Sequence, residues 1–119
     1  MESGRKQIEA LDASIASDQP HVTRGQRAQS LLENDLLVEA VEAVRQDCLG
    51  VFEKLSTDPT GAHKPEEYDR VALKLRCLEE VMSQVKHHVN TGKLAAARIE
   101  ADQSKRRGLL AALGLQRVA

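Results

Sequence analysis

The residues able to do chemistry are few, and their spacing decides what they can do. His87 and His88 are adjacent, and neighbours on a helix point about 100° apart. No His or Cys follows either one at three or four positions, the spacing that puts two metal ligands on one face. His21 and His63 fall in segments read as loops, too scattered to complete a metal centre. Glu66-Glu67 and Glu79-Glu80 fit a helix start and a solvent-facing surface. Cys48 and Cys77 each lie inside a periodic apolar segment, where cysteine packs as a small apolar side chain. A disulfide between them stays open, but two cysteines do not make a secreted scaffold. There is no glycine-rich phosphate loop, nucleophile elbow or zinc motif. The chain is therefore expected to be no enzyme and to need no cofactor.

The other candidates are cations. Lys105, Arg106 and Arg107 form a cluster, with Arg98 and Lys93 on the same segment. Phosphate contact is one use for them; stabilising a helix C-terminus is the other. Phe52 and Tyr68 are the only aromatics, so no ring is interleaved and base stacking is not expected. A formal net charge of -1 over 119 residues argues against a generally basic nucleic-acid binder. Nucleic acid is a candidate partner only through Arg98, Lys105, Arg106 and Arg107.

The elements that carry these residues are helical. Composition is rich in Ala, Leu, Glu, Arg, Lys and Gln, which are good helix formers. Leu37, Val41, Val44, Cys48, Val51 and Leu55 step by 4, 3, 4, 3 and 4, in a signal that begins near Leu31. Tyr68, Val71, Leu75, Leu78, Met82, Val85 and Val89 step by 3, 4, 3, 4, 3 and 4. Both are seams that keep one helix facing another. They span ~27 Å and ~32 Å at 1.5 Å per residue, so the two arms match. Between them Asp58-Pro59-Thr60-Gly61 is turn chemistry, and Pro65 suits a first helical position. An all-α, antiparallel, coiled-coil-like hairpin is expected.

Residues 1–30 read as an N-terminal arm. Ile8, Leu11 and Ile15 form a short amphipathic helix that breaks at Asp18-Gln19-Pro20 and stays broken through Thr23 to Gly25. Residues 31–92 are the hairpin, with an end or bend expected at Asn90-Thr91-Gly92. Residues 93–119 are a basic, leucine-rich helical tail, with a helix stop expected at Gly108. Two paired helices leave Leu49, Phe52, Leu73 and Val81 beside the seams, and Leu109, Leu110, Leu113 and Leu115 in the tail. These apolar residues point to self-association or a protein partner; the alternative is that the N- and C-terminal segments fold back and make a three- or four-helix monomer. No signal-peptide pattern and no window of ~18 apolar residues occurs, so a cytosolic context and no membrane partner are expected.

Within residues 33–94, ENDLLVEAVEAVRQD, a polar loop, YDRVALKL and VNTGKLA resemble small helical proteins of tailed bacteriophages. The resemblance covers about half the chain. It implies an oligomeric, non-catalytic protein of head assembly, the head–tail junction or DNA packaging, in the host cytoplasm or the virion. The small terminase subunit, which builds a ring from a helical hairpin, is the nearest named family. Many of its members carry an N-terminal helix-turn-helix. Residues 1–30 supply none, so the resemblance does not extend to sequence-specific DNA recognition.

Overall fold

The computed structural model of the chain describes residues 2–57 and 65–114. Among them are three helices and no strand: α1 (Glu2–Leu32), α2 (Asp35–Ser56) and α3 (Pro65–Ala112). The all-α class expected from composition is the one adopted. The chain divides into two compact units, a terminal unit of Met1–Ala28 with His87–Ala119 and a middle unit of Gln29–Lys86.

The expected break at Asp18-Gln19-Pro20 is not there. α1 runs 31 residues with Pro20 inside it. Proline removes one helical hydrogen bond and crowds the preceding turn, at a cost of ~3 kcal/mol. The carbonyl it leaves unpaired belongs to Ala16, which is exposed, so water can serve it. Tertiary packing on both sides of Pro20 offsets the rest. Gly4, Ile8, Leu11, Ile15, Asp18, Val22 and Gly25 are all buried or half-buried, in steps of 4, 3, 4, 3, 4 and 3. The seam thus continues straight through the proline. Thr23 stays helical and donates its hydroxyl to the Gln19 carbonyl at 3.3 Å.

The expected end at Asn90-Thr91-Gly92 is absent too. α3 continues to Ala112, a 48-residue helix, and Gly92 is buried within it. Gly92 serves close approach rather than helix termination. A Cβ built on Gly92 would lie 2.8 Å from the Gly25 Cα, and one on Gly25 the same distance from the Gly92 Cα. Only two glycines let these backbones meet so closely. Beside them Ala28, Val89 and Ala95 are buried, Ala95 completely. Further out, Asp18 meets Arg98, Asp12 meets Arg106, and Gly4 lies against Leu113. Moving back along α1, these contacts move forward along α3, so the two helices run in opposite directions here. Gly108 does not stop α3. Gly114, with φ 69°, carries the left-handed turn after the helix.

In the middle unit, Leu31 and Leu32 close α1 rather than opening the next helix. Glu33 and Asn34 then make a two-residue connection. The Asn34 side-chain oxygen accepts the Leu37 N–H at 2.9 Å and caps α2. Pro65 opens α3, as its missing N–H predicts, followed by Glu66 and Glu67 in the first turn. The expected turn at Asp58-Pro59-Thr60-Gly61 lies outside the described residues. Phe52 packs on Tyr68 with ring centroids 5.1 Å apart, and Arg45 reaches Glu79 at 2.7 Å.

Gly92→Ala should lower the unfolding free energy by about 1–3 kcal/mol, as overpacking does. Gly50→Ala should raise it by ~0.5–1 kcal/mol, because a Cβ there meets nothing within 4 Å. Urea unfolding of both variants checks the pair. A stabilised Gly92→Ala protein would mean that α1 and α3 do not touch through these backbones.

Candidate interaction surfaces

The residues expected to form the seam fall mostly inward. Val41, Cys48 and Leu55 are buried on α2, with Leu37 and Val44 half-buried. Val71, Leu75, Leu78, Met82 and Val85 are half-buried on α3. Two members face outward: Val51 and Tyr68 are each 37% exposed. Phe52, expected on an outer surface, is half-buried instead, and its ring contact with Tyr68 explains both placements. Val89 is buried in the terminal unit.

Leu49, Leu73 and Val81, expected at a second interface, are 51%, 58% and 61% exposed. Leu36 and Val38 are exposed as well. All five belong to the middle unit. The leucines expected in a free tail are placed differently. Leu109, Leu110 and Leu113 belong to α3 and its closing turn, and all three are half-buried. Leu113 contacts Gly4 of α1. The first turns of α1, around Gly4 and Leu11, lie against this end of α3. Leu115 lies outside the described residues.

The basic segment is partly committed. Arg98 donates from Nη2 to Asp18 Oδ1 at 3.0 Å and from Nε to Asp18 Oδ2 at 3.3 Å. This forked pair holds the one buried carboxylate among the described residues, Asp18. Arg106 Nε donates to Asp12 Oδ1 at 2.7 Å. Lys105 and Arg107 are exposed. Sequence reasoning missed Asp18, Asp12, Gly25 and Gly92 as partners, since each reads alone as a helix breaker or a surface charge. The only signal was the unbroken step of 4 and 3 from Gly4 to Gly25.

In the middle unit, Arg45 bridges Glu79 and lies 3.7 Å from Glu42. The hydrogen bond from Arg45, with its charge, holds the Glu79 carboxyl below the usual range, against the opposing pull of desolvation. A depressed carboxylate stabilises the fold above its unfolded value, and that contribution fades as pH falls through the folded one. Glu79 is exposed and Arg45 only half-buried, so the contribution is small.

His87 and His88 have ring centroids 6.0 Å apart and tilted planes. Among the described residues no three His, Cys, Asp or Glu side chains gather as metal ligands would. Cys48 is a buried free thiol and Cys77 an exposed one. No helix among the described residues is long and apolar enough to cross a membrane.

Each unit has a concave surface among the described residues. In the terminal unit an open groove of about 630 Å³ runs between α1 and α3, lined by Ala10, Leu11, Gly108 and Leu109 together with one acid, Asp102, and one base, Lys105. In the middle unit a smaller cavity of about 150 Å³ lies among Leu37, Val38, Val41 and Met82, edged by Arg45 and Lys86. The charge of the two units differs in sign. The terminal unit holds ten Lys and Arg against six Asp and Glu, a formal +4. The middle unit holds seven against twelve, a formal −5. A net charge near zero conceals this division. No protein-family model, curated protein or solved structure matches the chain.

Arg98→Ala should cost about 1–3 kcal/mol, because it leaves a buried carboxylate without its partner. Arg106→Ala, whose partner Asp12 is half in solvent, should cost less than ~1 kcal/mol. Chemical unfolding of the two variants ranks them. Equal losses would mean that burial of Asp18 adds nothing to its pairing.

Proposed function

We propose that this chain is a non-enzymatic assembly protein whose helices associate with other copies of themselves. In this reading α2 and the first part of α3 form an antiparallel, coiled-coil-like hairpin. One observation carries the reading: Leu49, Leu73 and Val81 are more than half exposed on the middle unit. Large aliphatic side chains on both arms of a paired unit are a liability in a monomer and an asset in an interface. The middle unit is also small, and a short helical pair rarely buries enough apolar surface to offset its chain entropy. The likeness of residues 33–94 to small tailed-phage proteins supports a place in a virion or in head assembly.

A second reading is favoured by the charge of the terminal unit. With a formal +4 and with Lys105 and Arg107 exposed, it is suited to phosphate contacts that read no sequence, as a packaging factor of small-terminase type would make. Arg98 and Arg106 contribute less, because each already serves a carboxylate.

Light scattering coupled to size exclusion should give a discrete mass several times the 13.1 kDa of one chain. Leu49→Glu/Val81→Glu should reduce it to one chain while the helical circular dichroism persists. A wild-type protein that is monomeric at every concentration would overturn the assembly reading. For the second reading, DNA affinity should fall steeply with salt, and Lys105→Ala/Arg107→Ala should reduce the log–log slope by about two. No DNA binding at low salt would remove it.

A further inference from the structure

The exposed aliphatics of α3 in the middle unit belong to one ridge. Leu73, Cys77 and Val81 follow at steps of four, which on a helix is a row of neighbouring side chains ~12 Å long. Leu73 is 58% and Val81 61% exposed, and Cys77 is an exposed free thiol.

Charge changes sign at the centre of that ridge. The seven residues before Cys77, 70–76, hold Arg70, Lys74 and Arg76 and no acid. The seven after it, 78–84, hold Glu79 and Glu80 and no base. All five are exposed. Glu79 is held by Arg45 of α2, so Glu80 is the acid its flank offers outward.

A second copy of the same ridge answers this pattern. A two-fold axis through Cys77 turns the second helix end for end. The basic flank of each copy then lies over the acidic flank of the other, and Leu73 of one copy meets Val81 of the other. Two copies running in the same direction would set like charges face to face, which opposes association. A wholly acidic or wholly basic partner would suit one flank and repel the other, whereas a copy of this chain suits both. Rows at steps of four pack against one another at a crossing angle of about 50°, so the contact centres on Cys77 and its two aliphatic neighbours.

We infer that two copies pair through this ridge of α3, about a two-fold axis at Cys77. This rests on the assembly reading above and specifies one of its contacts. The contact uses the same surface on both copies, so by itself it makes pairs. A larger particle needs a second contact, for which Leu49 of α2 remains exposed.

Cross-linking of the full chain with a short bismaleimide, which joins two thiols by adding to each, tests the pairing. Cys48 is buried, so Cys77 is the thiol that reacts. The wild-type protein should give a linked dimer, and Cys77→Ser should abolish it. Two charge variants test the geometry. Lys74→Glu/Arg76→Glu turns the basic flank acidic, and Glu80→Lys/Gln84→Lys turns the acidic flank basic. The altered side chains are exposed, so helical circular dichroism should persist. Each variant alone should lose about tenfold in linked dimer, because like charges then face each other. Mixed in equal amounts, the two should recover it, because every acidic flank again meets a basic one.

If the wild-type protein is oligomeric and Cys77 gives no linked dimer, copies do not meet at this ridge. If both charge variants link as well as the wild type, or if their mixture stays unlinked, the flanks do not face each other across a two-fold axis. Each of these results overturns the pairing and leaves the assembly reading standing, because mass alone decides that reading. A wild-type protein that is monomeric at every concentration overturns both.

Discussion

The terminal unit depends on one contact, the meeting of the Gly25 and Gly92 backbones. Two helices normally stay 8–10 Å apart because their side chains fill the space between. Here both chains lack a Cβ at the point of contact, and the atoms that meet are backbone. That closeness dictates what flanks it. Ala28 and Ala95 fit in the first turn to either side, where a larger residue would undo the approach. Further out the helices have room for Ile8, Leu11, Ile15 and Ile99. The same contact explains why two apparent helix breakers sit inside long helices. Glycine costs a helix about 1 kcal/mol, but burial and close packing against the opposite helix offset it. Pro20 survives for a related reason, being held between Asp18 and Gly25, both of which engage α3.

The two units are packed by different chemistry. The middle unit uses branched aliphatics, one ring pair and a surface ion bridge, and it leaves several aliphatics in solvent. The terminal unit uses glycine, alanine and ion pairs along its seam, with Asp18, Asp102 and Arg106 in positions that a leucine would take elsewhere. Charged side chains at a seam cost desolvation and are costly to leave unpaired, so they discriminate between registers more than they add stability. One slip of α1 along α3 would separate Asp18 from Arg98 and Asp12 from Arg106. Arginines that sequence alone offers to phosphate are thereby drawn into the structure, and the surface charge left to a partner rests more on Lys105 and Arg107.

The division of charge has a similar logic. A chain with nearly equal numbers of acids and bases looks electrostatically neutral, yet its excess of acids lies in residues 29–86 and its excess of bases in residues 87–119. Residues 1–28 hold four bases and four acids, so the formal +4 of the terminal unit comes from residues 87–119. Surfaces of opposite sign on one chain favour unlike patches meeting over like ones.

The helical class, the inward placement of Leu37, Val41, Val44, Cys48 and Leu55 and of Val71, Leu75, Leu78, Met82 and Val85, the start of α3 at Pro65 and the exposure of Leu49, Leu73 and Val81 were legible in the sequence. Aliphatic residues at steps of three and four have one dominant physical use, and proline at a helix start has one as well. The length of α1, the continuity of α3, the cap at Asn34 and the ion pairs were not legible in that way. Gly92 suits a helix end as well as a helix contact, and Asp18 suits a break as well as a buried bridge. Nothing local distinguishes the two uses, because the difference lies in residues 67 to 80 positions away. The sequence by itself determined that helices form and most of the aliphatic positions that α2 and the first part of α3 turn inward. Only the tertiary structure decided that the breakers stay helical and which charges are spent on the fold, because the energy that settles both comes from contact between the two ends of the chain.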